Sequence, residues 1–181
     1  LESNSKTGNF FKQKCIQMVT LISTSSGKIR SLRDKLFSRI SNMYEITPFI
    51  FLGNHQDAEE NIAIAQVNCT KDLPRYNHSS KKFYRVPVND DLQEYSFKEM
   101  TQELPGAVAF IDECVRSRER VLVHCFAGQQ RSCAVIAAYF ASKGIPVQTS
   151  VEYLRSRKPD AFNRGVNFQK SLDEYVKSLK V

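Results

Sequence analysis

A thiol and a guanidinium stand six residues apart in His124-Cys125-Phe126-Ala127-Gly128-Gln129-Gln130-Arg131-Ser132, with an imidazole directly before the thiol and a hydroxyl directly after the guanidinium. A cysteine attacks as its thiolate, which forms near neutral pH where positive charge or a helix N-terminus lowers its pKa. A guanidinium offers a planar fork of donors that matches two oxygens of an oxyanion. The pair therefore suits attack by sulfur on an anion bound by the same segment, a phosphoryl transfer that calls for no metal.

The elements that must position these groups lie on either side. Val121-Leu122-Val123 is a continuous apolar run, the pattern of a strand in a sheet covered on both faces. Ser132 to Lys143 is apolar nearly all round at its start, the pattern of a buried helix, and Gly144 suits its C-terminal stop. Cys125 to Arg131 then occupy the carboxyl end of a strand and the N-terminus of a helix, where open α/β sheets bind ligands. The unpaired N–H groups of a first helical turn favour an anion there, and Gly128 permits a tight backbone path.

The remaining chain supports the same architecture. MYEITPFIFLGN (43–54) reads as a strand pair about Pro48, closing at Gly53. DAEENIAIA (57–65) reads as a helix, and QVNCT (66–70) and FYRVPV (83–88) as short strands, the latter ended by Asn89-Asp90-Asp91. Residues 97–116 carry Met100, Leu104, Ala107, Phe110, Ile111 and Cys114 on one helical face, with Pro105 expected to kink or delay the helix. Further helices are expected over 149–158 and 168–179. Strands alternating with helices predict an α/β domain with a central mixed, mostly parallel sheet flanked by helices, over residues 43–181.

Residues 1–42 differ in texture. They hold eight Lys or Arg against Glu2 and Asp34, so most of the +7 net charge resides there. Lys28 to Ile40 has the spacing of a basic amphipathic helix, which predicts a basic helical N-terminal extension. Three roles stay open for it: packing on its own domain, pairing with a second chain, or lying on an acidic surface such as membrane or nucleic acid. Phe10 to Ile22 is broken by Lys12, Gln13, Lys14 and Gln17, so it does not read as a secretory signal, and no apolar run approaches membrane-spanning length. Five widely spaced cysteines without a CxxC pair argue against a disulfide framework or a zinc site and for a reducing compartment, the cytoplasm first, with nucleus and virion left open. His55, His78 and His124 lack helical ligand spacing, so no metal and no cofactor is expected.

HCFAGQQRS (124–132) resembles the His-Cys-x5-Arg-Ser/Thr pattern of cysteine-dependent protein phosphatases, and its Ala-Gly and final Ser resemble the dual-specificity branch. FLGN (51–54), VPVND (86–90) and VEYLRSRKP (151–159) resemble three further motifs of that branch in the same order, over residues 43–181, and the compact layout resembles the poxvirus-type enzymes, from which a viral source is surmised. The resemblance implies a cysteine-phosphatase fold and hydrolysis of phosphotyrosine and phosphoserine or phosphothreonine in protein substrates. It implies Cys125 as the nucleophile that becomes phosphocysteine and Arg131 as the clamp on phosphate and transition state. The backbone of Phe126, Ala127, Gly128, Gln129, Gln130 and Arg131 would form the cradle. Ser132 would stabilise the departing thiolate, and His124 would order the loop through hydrogen bonds rather than act as a base. Expulsion of an alkoxide or phenoxide needs a proton, and the family's Pro-x-x-Asp spacing lands on Asp90, preferred over Asp91 as general acid.

Some relatives hold a second cysteine near the nucleophile, which makes Cys69 a redox candidate beside the preferred reading of a core thiol. Cys133 reads as a small helix residue. Relatives that dimerise through an N-terminal helix favour a homodimer here. The rival activities are RNA 5′-triphosphatase and phosphoinositide phosphatase. The former carry Thr-His where Phe126-Ala127 stand, and the latter place lysines where Gln129 and Gln130 stand. A catalytically silent phosphate-binding module is the rival outside enzymology, and the retained Cys125, Arg131, Ser132 and candidate acid argue against it.

Overall fold

The computed structural model describes residues 43–62, 64–79 and 81–180. The expected basic helix and the dimer assigned to it lie outside the described residues.

Five strands form one sheet in the order β1 (Tyr44–Glu45), β2 (Ile50–Gly53), β5 (Val121–His124), β3 (Ala65–Asn68), β4 (Phe83–Arg85). β1 pairs antiparallel with β2, and the other pairings are parallel, so the expected mixed, mostly parallel sheet is present. The central strand β5 lies between β2 and β3 with all four residues buried, as its unbroken apolar run demands.

The helices are α1 (His55–Glu60), α2 (Glu94–Arg116), α3 (Arg131–Ser142), α4 (Val147–Arg157) and α5 (Gln169–Ser178). α3 packs against α2, α4 and α5 and is buried from Ser132 through Phe140. It therefore sits at the centre of the helical layer, as β5 sits at the centre of the sheet, and the loop joining them inherits both rigid ends. None of the helices among the described residues is long and apolar enough to cross a membrane.

Several boundaries depart from expectation, among them the strand expected over 83–88, which ends at Arg85, and two have local causes. α1 ends at Glu60, not at Ala65, because Asn61 turns the chain and its Nδ2 donates to the Asp57 carbonyl at 2.7 Å; the apolar residue Ala65 then begins β3. α2 begins at Glu94, three residues before Phe97, and runs through Pro105 to Arg116. The Asp91 carboxylate accepts from the Gln93 N–H just ahead of it, so the polar first turn is organised by side-chain hydrogen bonding and not by apolar periodicity.

Candidate active site

The loop 125–130 leaves β5 and delivers Arg131 as the first residue of α3. Its carbonyls are tied outward. The Phe126 carbonyl accepts from His55 N at 3.2 Å, that of Gly128 from the Cys133 thiol at 3.5 Å, and that of Gln129 from Phe162 N at 2.7 Å. Inside the turn, Gly128 N–H donates to Cys125 Sγ at 3.2 Å. Gly128 has φ +69°, and a Cβ there would stand 2.6 Å from the Gly53 carbonyl oxygen. Both the backbone angle and the close approach to β2 require glycine at this position.

Cys125 is 2% exposed. Burial opposes its ionisation, but Arg131, the Ser132 hydroxyl (3.4 Å from Sγ) and the backbone N–H groups of Ser132 and Gly128 outweigh it, and the thiol pKa is lowered. The other buried thiols go the opposite way. Burial raises Cys133 and Cys69, with added repulsion from Cys125, and raises Cys114 to about 11. Selective alkylation follows: Cys125 should react with iodoacetamide at pH values where ordinary thiols are protonated, and Ser132→Ala should move the midpoint of that pH–rate curve upward. Peptide mass mapping after timed alkylation measures both. An unchanged midpoint in Ser132→Ala would remove the hydroxyl from the account.

Arg131 Nη1 donates to the Val88 carbonyl at 3.1 Å. Its Nε is buried and has no hydrogen-bond partner among the described residues. The guanidinium is thus fixed by the segment that precedes Asp90 while keeping a donor that an oxyanion can take.

His124 is fully buried at the end of β5, with Tyr76 tilted against it at 6.1 Å between ring centroids. Burial pushes its pKa down to about 4, and neither ring nitrogen has a hydrogen-bond partner among the described residues, so the imidazole is neutral at physiological pH. Its main-chain carbonyl accepts from Cys69 N at 2.8 Å, tying β5 to the end of β3.

The two carboxylates at 90 and 91 separate clearly. The Tyr95 hydroxyl, followed by Ser96 and the Gln93 and Asp91 N–H groups, holds the Asp91 carboxyl down at about 2, which keeps it ionised and committed to the start of α2. Asp90 is exposed and accepts at Oδ1 from Asn167 Nδ2 at 2.8 Å. Asp90 and Asp91 both line a cleft of about 500 Å³, together with Leu92, Gln129, Gln130 and Asn167. Both carboxylates therefore share a cleft with Gln129 and Gln130 of the loop, and what differs between them is their hydrogen-bond partners.

The glutamines of the loop are structural. Gln129 Nε2 donates to Asp160 at 2.8 Å, and Gln130 Nε2 donates to the carbonyls of Asn163 and Gly165 at 2.7 and 2.9 Å. The 160–167 segment was missed by sequence reading, since it has neither periodicity nor motif and meets the loop across more than thirty residues of chain. So was His55, whose ring stacks on Phe126 at 4.7 Å and whose Nδ1 lies 3.0 Å from the Phe126 carbonyl oxygen.

Comparison with known proteins gives a consistent result. Residues 50–178 match the family model for the dual specificity phosphatase catalytic domain. Human dual specificity protein phosphatase 9 is 28% identical over 151 residues, covering 79% of this chain and 38% of the relative. Dual specificity protein phosphatase Mpk3 of Drosophila melanogaster is 31% identical over 147 residues, covering 76% and 34%. The chain thus spans little more than a third of the length of these curated relatives. The crystal structure of human DUSP28 superposes with a TM-score of 0.66 at 26% identity, covering 77% of this chain and 95% of that one.

Proposed function

The chain belongs to the dual specificity phosphatase family, and from that premise we propose that it is a metal-independent protein phosphatase that hydrolyses phosphotyrosine and phosphoserine or phosphothreonine through a phosphocysteine on Cys125. The observation that carries this reading is geometric: the buried Cys125 Sγ accepts from the Gly128 N–H at 3.2 Å and from the Ser132 hydroxyl at 3.4 Å, contacts that with the Arg131 charge favour its thiolate. A merely structural cysteine at 2% exposure would have its ionisation suppressed, as Cys133 does.

In the first step Cys125 Sγ attacks phosphorus, the P–O ester bond breaks, and Asp90 gives its proton to the departing oxygen. The backbone of Phe126 to Arg131 and the Arg131 guanidinium hold the equatorial oxygens. In the second step Asp90, now a carboxylate, takes a proton from water as the water oxygen attacks phosphorus. The S–P bond breaks, and the Ser132 hydroxyl donates to the thiolate that leaves. His124 is neutral and buried, which does not suit a residue that moves protons, and with neither ring nitrogen hydrogen-bonded among the described residues the imidazole supports the loop by packing and not by the hydrogen bonds expected of it.

Gln129 and Gln130 bear on substrate class. Both are neutral and engaged with the 160–167 segment, so their side chains add no attraction for a polyphosphorylated substrate. A single assay separates the classes: phosphotyrosine, phosphoserine and phosphothreonine peptides, a phosphoinositide and 5′-triphosphorylated RNA, each with a chelator present. The expected result is turnover of all three peptides, undiminished by chelation. Turnover of the RNA or the phosphoinositide alone would replace the substrate assignment, and loss on chelation would replace the mechanism.

A further inference from the structure

Asp90 has to deliver a proton from an exposed position on a segment with neither helix nor strand, and something must hold it. Its neighbours are individually restrained. The Val88 carbonyl is bound by Arg131, and the Asp91 carboxylate by Tyr95 and the Gln93 N–H. The Asp90 carboxylate itself receives Asn167 Nδ2 at 2.8 Å.

Asn167 is in turn well based. Its N–H donates to Gln130 Oε1 at 3.1 Å, while the amide nitrogen of that 6%-exposed side chain binds the Asn163 and Gly165 carbonyls. The next residue, Phe168, is 1% exposed and meets Phe97 edge-on at 5.9 Å. The approach depends on unusual backbone: Phe162, Arg164 and Gly165 have φ of +53°, +65° and +107°. Left-handed conformations at two non-glycine residues are costly and persist where surrounding contacts require them.

We propose that Asn167 is a positioning residue of this active site, one that places the Asp90 carboxyl in register with the phosphate-binding loop through Gln130. Donation to Oδ1 occupies one carboxyl oxygen and leaves Oδ2 to carry the transferable proton. The inference rests on the reading of Asp90 as general acid. It assigns a role in the reaction to a segment with no nucleophile, acid or phosphate ligand of its own.

The test exploits leaving-group chemistry. A dinitrophenolate departs without protonation, whereas the tyrosine phenolate of a phosphopeptide needs an acid. Wild type, Asp90→Ala, Asn167→Ala and the near-isosteric Asn167→Asp are compared by kcat/KM, which reports steps up to leaving-group departure. Asn167→Ala and Asn167→Asp should each lose about tenfold on the phosphopeptide, part of what a general acid supplies, and stay within about twofold on dinitrophenyl phosphate. A role confined to stability would lower both substrates together, so an equal loss, or no loss, in both Asn167 variants overturns the inference. Asp90→Ala distinguishes the premise: selective loss there with none in the Asn167 variants rejects Asn167 alone, and an unselective Asp90→Ala rejects the acid assignment and the inference with it.

Discussion

Cys125→Ser should reduce turnover by at least about 10⁴-fold on every phosphoester, since removing a catalytic nucleophile costs on that order or more. The substitution exchanges sulfur for oxygen and leaves in place the loop contacts that do not involve Sγ, including the tie from His55 N to the Phe126 carbonyl. A serine hydroxyl in the same field remains protonated at neutral pH and is a far weaker nucleophile than a thiolate. Oxyanion binding should survive, because it depends on Arg131 and the backbone. Steady-state kinetics, acid quenching with intact-mass analysis and calorimetric titration with tungstate together check the claim. Wild type should accumulate a phosphoryl adduct on the Cys125 peptide, and the variant should not. More than about one per cent of wild-type activity in Cys125→Ser would remove the covalent mechanism.

Arg131→Lys should be nearly as damaging, by about 10³-fold in kcat/KM, the scale for losing a preorganised donor at developing charge. Lysine keeps the positive charge but not the fork. It also cannot both donate to the Val88 carbonyl, as Nη1 does at 3.1 Å, and present a second donor in a fixed plane. Because the charge is retained, the pH midpoint for Cys125 alkylation should stay close to that of wild type, whereas Arg131→Ala should raise it. That contrast separates the proposed clamp on phosphate from the stabilisation of the thiolate, toward which the Arg131 charge acts. Arg131→Lys activity within tenfold of wild type would reduce the residue to a source of charge.

Much of this site was legible in the sequence because a strand, a loop and a helix are contiguous there. The apolar run 121–123, the polar loop and the apolar start of α3 place Cys125, Arg131 and Ser132 together with no long-range contact required. The preference for Asp90 rests on spacing; in the structure both carboxylates are engaged, Asp91 by Tyr95 and Gln93 and Asp90 by Asn167. What was not legible depends on distant chain. Asn167 and Gln130 meet across a segment whose path is set by three positive φ angles, and nothing local announces those. The ends of α1 and α2 were displaced for a related reason. Asn61 and Asp91 redirect the backbone through side-chain hydrogen bonds, which hydrophobic periodicity does not register.

The contact between Gly128 and the Gly53 carbonyl has a further consequence. It makes the carboxyl end of β2 a fixed datum against which the Cys125 loop is set, with a tolerance smaller than one methyl group. Gly53 has little clearance of its own, since a Cβ there would lie 2.8 Å from the Asp57 side chain. The fold therefore carries its catalytic tuning in two places without side chains. Random substitution will find them as sites of lost activity in a strand and a loop that otherwise look like ordinary packing.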